Sequence, residues 1–168
     1  MQNLFLGISM KPDRLFRLAT AVLVCELAGL VGSVFTFPAI SAWYATLAKP
    51  WFSPPDWLFG PAWGVLYALM GVALFVVWER AAKDKRGFSA IAAFAFQLAL
   101  NTLWSIIFFG LRSPAAAFAE ILLLWAAIAY TIVSFWKIDR RAAYMLAPYI
   151  AWVSFAAVLN YYVWMLNA

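Results

Sequence analysis

The chain has 168 residues, of which 67% are hydrophobic and 11% are charged, whereas soluble domains are typically about 45–50% apolar and about 25% charged. Together with a mean hydropathy of +0.88, this composition indicates an integral membrane protein and excludes an ordinary soluble domain. The net charge is +5, but the sequence offers no polar face on which basic residues would meet a polyanion. A nucleic-acid-binding role is therefore excluded.

Five stretches are long and apolar enough to cross a bilayer, which takes about 20 residues as a helix. They cover residues 18–37, 58–78, 88–109, 114–136 and 142–166. Pro38 follows the first stretch, Gly110 closes the third, and Pro114 opens the fourth, as expected for helix end and start signals. Pro148 falls in the first turns of the fifth and is expected to kink it. The sequence thus predicts one all-α domain over residues 1–168, a bundle of five transmembrane helices.

The first loop, residues 38–57, combines proline with tryptophan and leads into the second span. Pro54 and Pro55 cannot lie inside a helix, because proline lacks the N–H and its ring clashes with the preceding turn. Pro61 suits the first turn of the next helix, where its missing N–H is not needed. The sequence therefore predicts a stiff, non-helical lid loop that ends at the start of the second helix.

The basic residues predict the orientation in the membrane, because Lys and Arg are enriched in cytoplasmic loops. With five spans, the N-terminus, the second loop and the fourth loop share one side. Ten of the twelve basic residues fall on that side: Lys11, Arg14, Arg17, Arg80, Lys83, Lys85, Arg86, Lys137, Arg140 and Arg141. Only Lys49 and Arg112 fall on the other. We expect a cytoplasmic N-terminus, with the lid loop and the C-terminus on the opposite side.

Three aromatic-rich segments carry a family resemblance. The first reads WYATLAKP, then PPDW and GPAWGVLYALMG; the second is QLALN followed by Trp104 and FFG; the third runs from Pro148-Tyr149 through Trp152 to LNYYVW. In this order they resemble the signature of the translocator protein (TspO/MBR) family, also called the tryptophan-rich sensory proteins and, in animals, the peripheral benzodiazepine receptor. The resemblance covers most of the chain and implies a five-helix membrane receptor or carrier.

Helical spacing groups candidate ligand contacts on three of the spans. Residues three or four apart share a helix face, and such stripes are formed by Trp63 with Tyr67, by Gln97, Asn101 and Trp104, and by Trp152, Ala156 and Leu159. Each stripe is open to two interpretations, a pocket wall or ordinary packing against helices and lipid. The resemblance favours the pocket, because matching positions in relatives contact ligand. The predicted ligand-binding set is Trp51, Pro55, Trp63, Tyr67, Asn101, Trp104, Trp152, Ala156 and Leu159.

Two acidic residues fall within predicted spans, where ionisable groups are costly and are functional candidates by default. Glu26 lies midway along the first span and Glu120 about two turns into the fourth. Neither has an obvious basic partner at its depth. Two roles stay open for them: a structural hydrogen bond to Asn or Tyr across the bundle, or a part in binding a ligand or a proton.

Small residues at a spacing of four allow helices to approach closely. Gly29 and Ser33 offer such a face on the first span, and Ala95 and Ala99 on the third. The resemblance implies a homodimer to which the third helix contributes. Ala95 and Ala99 are therefore the predicted dimer contacts.

The resemblance implies a porphyrin or a related hydrophobic aromatic molecule as the ligand, with no obligatory cofactor. The chain has no histidine, which argues against haem held by the common axial ligand and favours a metal-free tetrapyrrole. Lys49 or Arg112, on the lid side, would meet a porphyrin carboxylate. The proposed C-terminal sterol motif of animal members is incomplete, because no basic residue follows Tyr162.

Two further classes of function stay open at this point. The first is an enzyme that degrades porphyrin in light, which would use tryptophan chemistry, because a catalytic set containing histidine cannot exist here. The second is a regulator of tetrapyrrole metabolism or stress signalling that acts through a partner protein. The short loops argue against a large soluble interface for such a partner.

Overall fold

The computed structural model describes residues 11–81 and 86–168. Within these ranges the chain forms five long apolar helical spans and no strand. The helices are α1 (Pro12–Ala39), α2 (Phe59–Ala81), α3 (Gly87–Ser105), α4 (Pro114–Trp136), α5 (Arg140–Met145) and α6 (Ala147–Leu166). The prediction of an all-α membrane bundle with five spans is confirmed, and α5 and α6 together form the fifth span.

The first helix is longer than predicted, because it continues through Pro38. A π-helical turn, Ile40–Tyr44, follows directly. Proline removes one backbone hydrogen bond, but in a membrane span local π adjustment and neighbouring groups can satisfy the freed carbonyl, so a proline need not end the helix. The prediction of a non-helical loop from residue 38 is therefore wrong. The lid loop comprises residues 47–55, and a 3₁₀ turn, Asp56–Leu58, connects it to α2.

The fifth span breaks at Leu146, between α5 and α6. Pro148 lies in the first turn of α6. Backbone N–H groups in the first turn have no partner within the helix, so the N–H that proline lacks is not missed there. At the start of α5 the carboxylate of Asp139 accepts a hydrogen bond from the backbone N–H of Arg141 at 2.8 Å. This N-cap satisfies one of the free donors of the first turn.

Ion pairs join helix ends at the end of the bundle opposite the lid loop. Arg14 and Arg17 on α1 lie 2.8 and 3.1 Å from the carboxylate of Glu79 on α2. Arg80, also on α2, lies 2.7 Å from Asp139 at the start of α5. Exposed pairs such as those of Glu79 contribute about 0–1 kcal/mol each, whereas the carboxylate of Asp139 is buried. They fix which helix ends are neighbours more than they stabilise the fold.

Glycines set how closely α1 and α2 pack in the middle of the bundle. A Cβ atom on Gly71 would lie 2.5 Å from the Cα of Val22, and one on Gly29 would overlap the ring of Tyr67. Small residues allow such backbone approach, which drives helix association where lipid removes the hydrophobic difference. Nearer the lid loop on α2, a Cβ on Gly64 would meet nothing within 4 Å.

We expect Gly71→Ala to lower the free energy of unfolding by about 1–3 kcal/mol, because the added methyl group forces two backbones apart. Gly64→Ala is the matched control in the same helix. It should be neutral or stabilising by up to about 1 kcal/mol, because alanine is the better helix former and has room. Denaturation of both variants in the same detergent measures the difference. Equal stability of the two would contradict the proposed close contact.

Candidate functional site

A cavity of about 550 Å³ lies between the helices at the end of the bundle that carries the lid loop. Helices α1, α2, α3, α4 and α6 all contribute to its wall, which is mostly apolar and aromatic. Small-molecule sites in proteins are typically about 300–1,000 Å³, with apolar walls and a few placed polar groups. The cavity therefore has the size and lining of a site for a hydrophobic ligand.

Two tryptophans from different helices meet at the cavity wall. The ring of Trp63 on α2 stacks on Tyr67 at 5.4 Å and meets the ring of Trp152 on α6 edge-on at 6.5 Å and 86°. Phe59 contacts Trp152 from the other side at 6.0 Å. The indole Nε1 of Trp152 is buried and has no hydrogen-bond partner among the described residues. This corner offers flat apolar surfaces and one unused donor.

A chain of hydrogen bonds links three helices beside this corner. The hydroxyl of Tyr67 donates to Oδ1 of Asn101, and Nδ2 of Asn101 donates to the Tyr149 hydroxyl at 3.0 Å. Tyr149 in turn donates to Oε1 of Gln97 at 2.9 Å. All four side chains are at least 90% buried. Because a buried polar group without a partner is costly, the chain holds α2, α3 and α6 in one register around the cavity.

A second polar link lies where α3, α4 and α6 meet. Trp104 donates from Nε1 to Oδ1 of Asn160 at 3.1 Å, and Nδ2 of Asn160 donates to the carbonyl of Pro114 at 2.8 Å. The ring of Trp104 stacks on Phe108 at 5.0 Å. The orientation of this indole is therefore fixed by both of its neighbours.

The lid loop is held down at three points. Asn167, just after α6, accepts from the N–H of Ala48 and donates to its carbonyl, both at 2.9 Å. Phe52 contacts Tyr162 at 5.4 Å. The ammonium of Lys49 lies 3.8 Å from the Asp56 carboxylate and 4.0 Å above the ring of Tyr44.

The cavity brings together most of the predicted ligand contacts. Seven of the nine line it: Trp63, Tyr67, Asn101, Trp104, Trp152, Ala156 and Leu159. Trp51 and Pro55 do not. The ring of Trp51 is 95% exposed and only edges against Phe52, because Phe52 takes the inward position in the lid loop. Arg112 and Lys49 are also absent from the cavity wall.

Apart from Glu26, for which a ligand role stayed open, the sequence did not predict the wall that α1 contributes. It includes Glu26, Gly29, Ser33 and Phe37, which recur at helical spacing. The recurrence of small and polar residues on this face was the available signal, but Gly29 and Ser33 were interpreted as an association face. The close approach expected at Gly29 is formed against Tyr67 of α2, and the same face also lines the cavity.

The two acidic candidates separate in the structure. Glu26 lies in the cavity wall, whereas Glu120 is buried in the bundle outside it. Neither carboxyl oxygen of Glu120 has a hydrogen-bond partner among the described residues, so the expected bond to Asn or Tyr is not formed.

Ala95 and Ala99 are exposed on the outer face of α3. In the described part of the chain, no group of three or more acidic or cysteine side chains is placed to hold a metal ion.

Comparison with known proteins gives one consistent result. A family model described as the TspO/MBR family matches residues 21–165. The tryptophan-rich protein TspO of Archaeoglobus fulgidus is 42% identical over 92% of this chain and 99% of its own length. The human translocator protein is 40% identical over 83% of each chain. The tryptophan-rich sensory protein of Cereibacter sphaeroides is 39% identical over 74% of this chain and 77% of its own.

Proposed function

The chain belongs to the TspO/MBR family, and we propose that it is a membrane receptor or carrier whose cavity binds porphyrins and related hydrophobic aromatic ligands. Its five apolar helical spans make it an integral multi-pass membrane protein. The names of its relatives, translocator and sensory protein, support a role in reception or transport. Porphyrin as the ligand is our own assignment and rests on the cavity.

The observation that carries the proposal is the corner formed by Trp63 and Trp152. A porphyrin is a flat aromatic plate with carboxylates along one edge, and aromatic faces pack favourably against such a plate. Lys49 contacts two residues that line the cavity: it forms a long, partly exposed pair with Asp56 and lies above the ring of Tyr44. Because such pairs are weak, a porphyrin carboxylate would compete for this ammonium. The absence of histidine from the chain makes a metal-free tetrapyrrole the favoured form.

Replacing Trp63 or Trp152 with alanine should weaken protoporphyrin binding on the order of tenfold to a thousandfold. The estimate combines a stacking loss of about 0.5–1.5 kcal/mol with a lost burial of about 1.5–3 kcal/mol. Quenching of the remaining tryptophan fluorescence in a titration measures the affinity.

Two tryptophans outside the cavity serve as matched controls for that titration. Trp51 is exposed, and Trp164 packs against Phe118 and Tyr161 at 5.8 and 6.3 Å. Alanine at either position should leave the affinity within about threefold, because neither side chain touches the cavity. If Trp63→Ala and Trp152→Ala fold normally and bind as tightly as wild type, the site is wrong.

The same titration distinguishes the receptor from an enzyme that degrades porphyrin in light. Trp63 and Trp152 lie together at the cavity, where an excited porphyrin would have two indoles within reach. Binding spectra that are equal in darkness and light support the receptor. New product bands that appear only in light support the enzyme, and no spectral change in either condition favours a regulator that acts through a partner protein.

We propose that the N-terminus is cytoplasmic and that the lid loop and C-terminus face the opposite side. The proposal rests on the ten-to-two distribution of basic residues. Lys83 and Lys85, two of the ten, lie outside the described residues.

Cysteine labelling tests this orientation, after Cys25 is replaced by alanine. Trp51→Cys should react with an impermeant maleimide in intact cells, because Trp51 is exposed in the lid loop. Lys137→Cys, in the exposed turn between α4 and α5, should react only after the cells are opened. The reverse pattern would invert the proposed topology.

We propose that the chain forms a homodimer through the outer face of α3. Ala95 and Ala99 are exposed there one turn apart, and small residues allow two helices to approach closely. Replacing both with leucine should shift the protein from dimer to monomer in native mass spectrometry. Leucine at the exposed Ala126 of α4 is the control. A double variant with the wild-type mass would place the interface elsewhere.

A further inference from the structure

The cavity reaches the outer surface of the bundle between α1 and α2. Leu30 and Phe37 on α1 line the cavity, yet they are 61% and 69% exposed. On the facing helix, Gly60 also lines the cavity and is exposed. Side chains that border both the cavity and the outer surface mark its mouth. Because both helices belong to apolar spans, this mouth faces lipid.

The two helices diverge towards this mouth. In the middle of the bundle they are in contact, because added Cβ atoms on Gly71 and Gly29 would strike Val22 and Tyr67. One and two turns nearer the lid loop than Tyr67, added Cβ atoms on Gly64 and Gly60 would meet nothing within 4 Å. This loss of contact shows that α1 and α2 move apart towards the lid loop.

The lid loop, unlike the gap between α1 and α2, is closed by specific contacts. Asn167 clasps both backbone polar groups of Ala48, and Phe52 is wedged against Phe155 and Tyr162. Passage through the lid loop would break these contacts. Passage between α1 and α2 breaks none of the hydrogen bonds that hold the lid loop.

We propose that ligands enter and leave the cavity sideways from the bilayer, through a lateral portal bounded by Leu30, Ser33 and Phe37 on α1 and by Gly60 and Gly64 on α2. The inference rests on the proposed function, because it needs a hydrophobic ligand in this cavity. A large apolar aromatic molecule partitions into the membrane. It reaches the lateral portal there without crossing water.

The test measures the kinetics of protoporphyrin binding to the full chain in lipid nanodiscs. Gly60→Phe and Ser33→Phe narrow the lateral portal from opposite helices, and Gly60 has open space for the new ring. Both variants should slow association and dissociation by about tenfold or more, because an obstructed path lowers both rates together, whereas a ring that only displaced the bound ligand would speed dissociation. Thermal unfolding identifies either variant that has lost its fold, and the other then carries the test.

Two matched variants separate the lateral portal from the lid route. Val65→Phe places the same ring on α2 at a residue that is 62% exposed and does not line the cavity, so both rates should equal those of wild type. Asn167→Ala removes the clasp on Ala48 and should also leave the rates unchanged.

Wild-type rates in both Gly60→Phe and Ser33→Phe would overturn the lateral portal. So would faster binding and release in Asn167→Ala, because that result assigns passage to the lid loop. Absence of binding to the wild-type chain is a different result. It would overturn the proposed function, and the lateral portal with it.

Discussion

The buried hydrogen-bond chain through Asn101 is the interaction on which the arrangement of the bundle depends. In lipid, apolar side chains gain little by leaving the membrane for a helix interface, so packing and polar contacts decide how helices associate. Asn101 uses its oxygen for Tyr67 and its nitrogen for Tyr149, and Tyr149 passes the chain to Gln97. Rotating any of the three helices about its axis would leave a buried donor or acceptor unpaired. The cavity therefore has a fixed polar side in an otherwise adaptable apolar wall.

The contact between α1 and α2 shows how glycine produces two opposite results in one helix pair. At Gly71 the missing side chain admits the backbone of α1, and at Gly60 and Gly64 it leaves space that nothing fills. The first closes the bundle and the second opens it to lipid. A sequence pattern of small residues cannot distinguish these cases, because the difference lies in the angle between the helices and not in either residue.

Much of the fold follows from the sequence for a simple reason. Apolar length predicts spans almost independently of packing, because a bilayer forbids unpaired backbone groups. The same rule explains the error at Pro38: a soluble helix would end there, whereas this one continues to a π-helical turn. The stripes at Trp63, Asn101 and Trp152 converge as their helical spacing predicted. The part of the α1 wall beyond Glu26 was not predicted, because Gly29 and Ser33 carry no chemistry that distinguishes a cavity from a helix contact. Trp51 was misplaced because its neighbour Phe52 faces inward instead.

The tryptophans of this chain differ in whether the indole N–H has a hydrogen-bond acceptor. Trp104 and Trp125 donate to Asn160 and Ser154, so each is tied to a helix partner and its orientation is set by the fold. Trp152 has a buried N–H without an acceptor, at the cavity wall. An unpaired buried donor costs roughly 1–3 kcal/mol, and no neighbouring side chain recovers that cost. Trp152 is therefore the one of these three indoles whose orientation is set by ring packing, against Phe59 and Trp63, and not by a hydrogen bond.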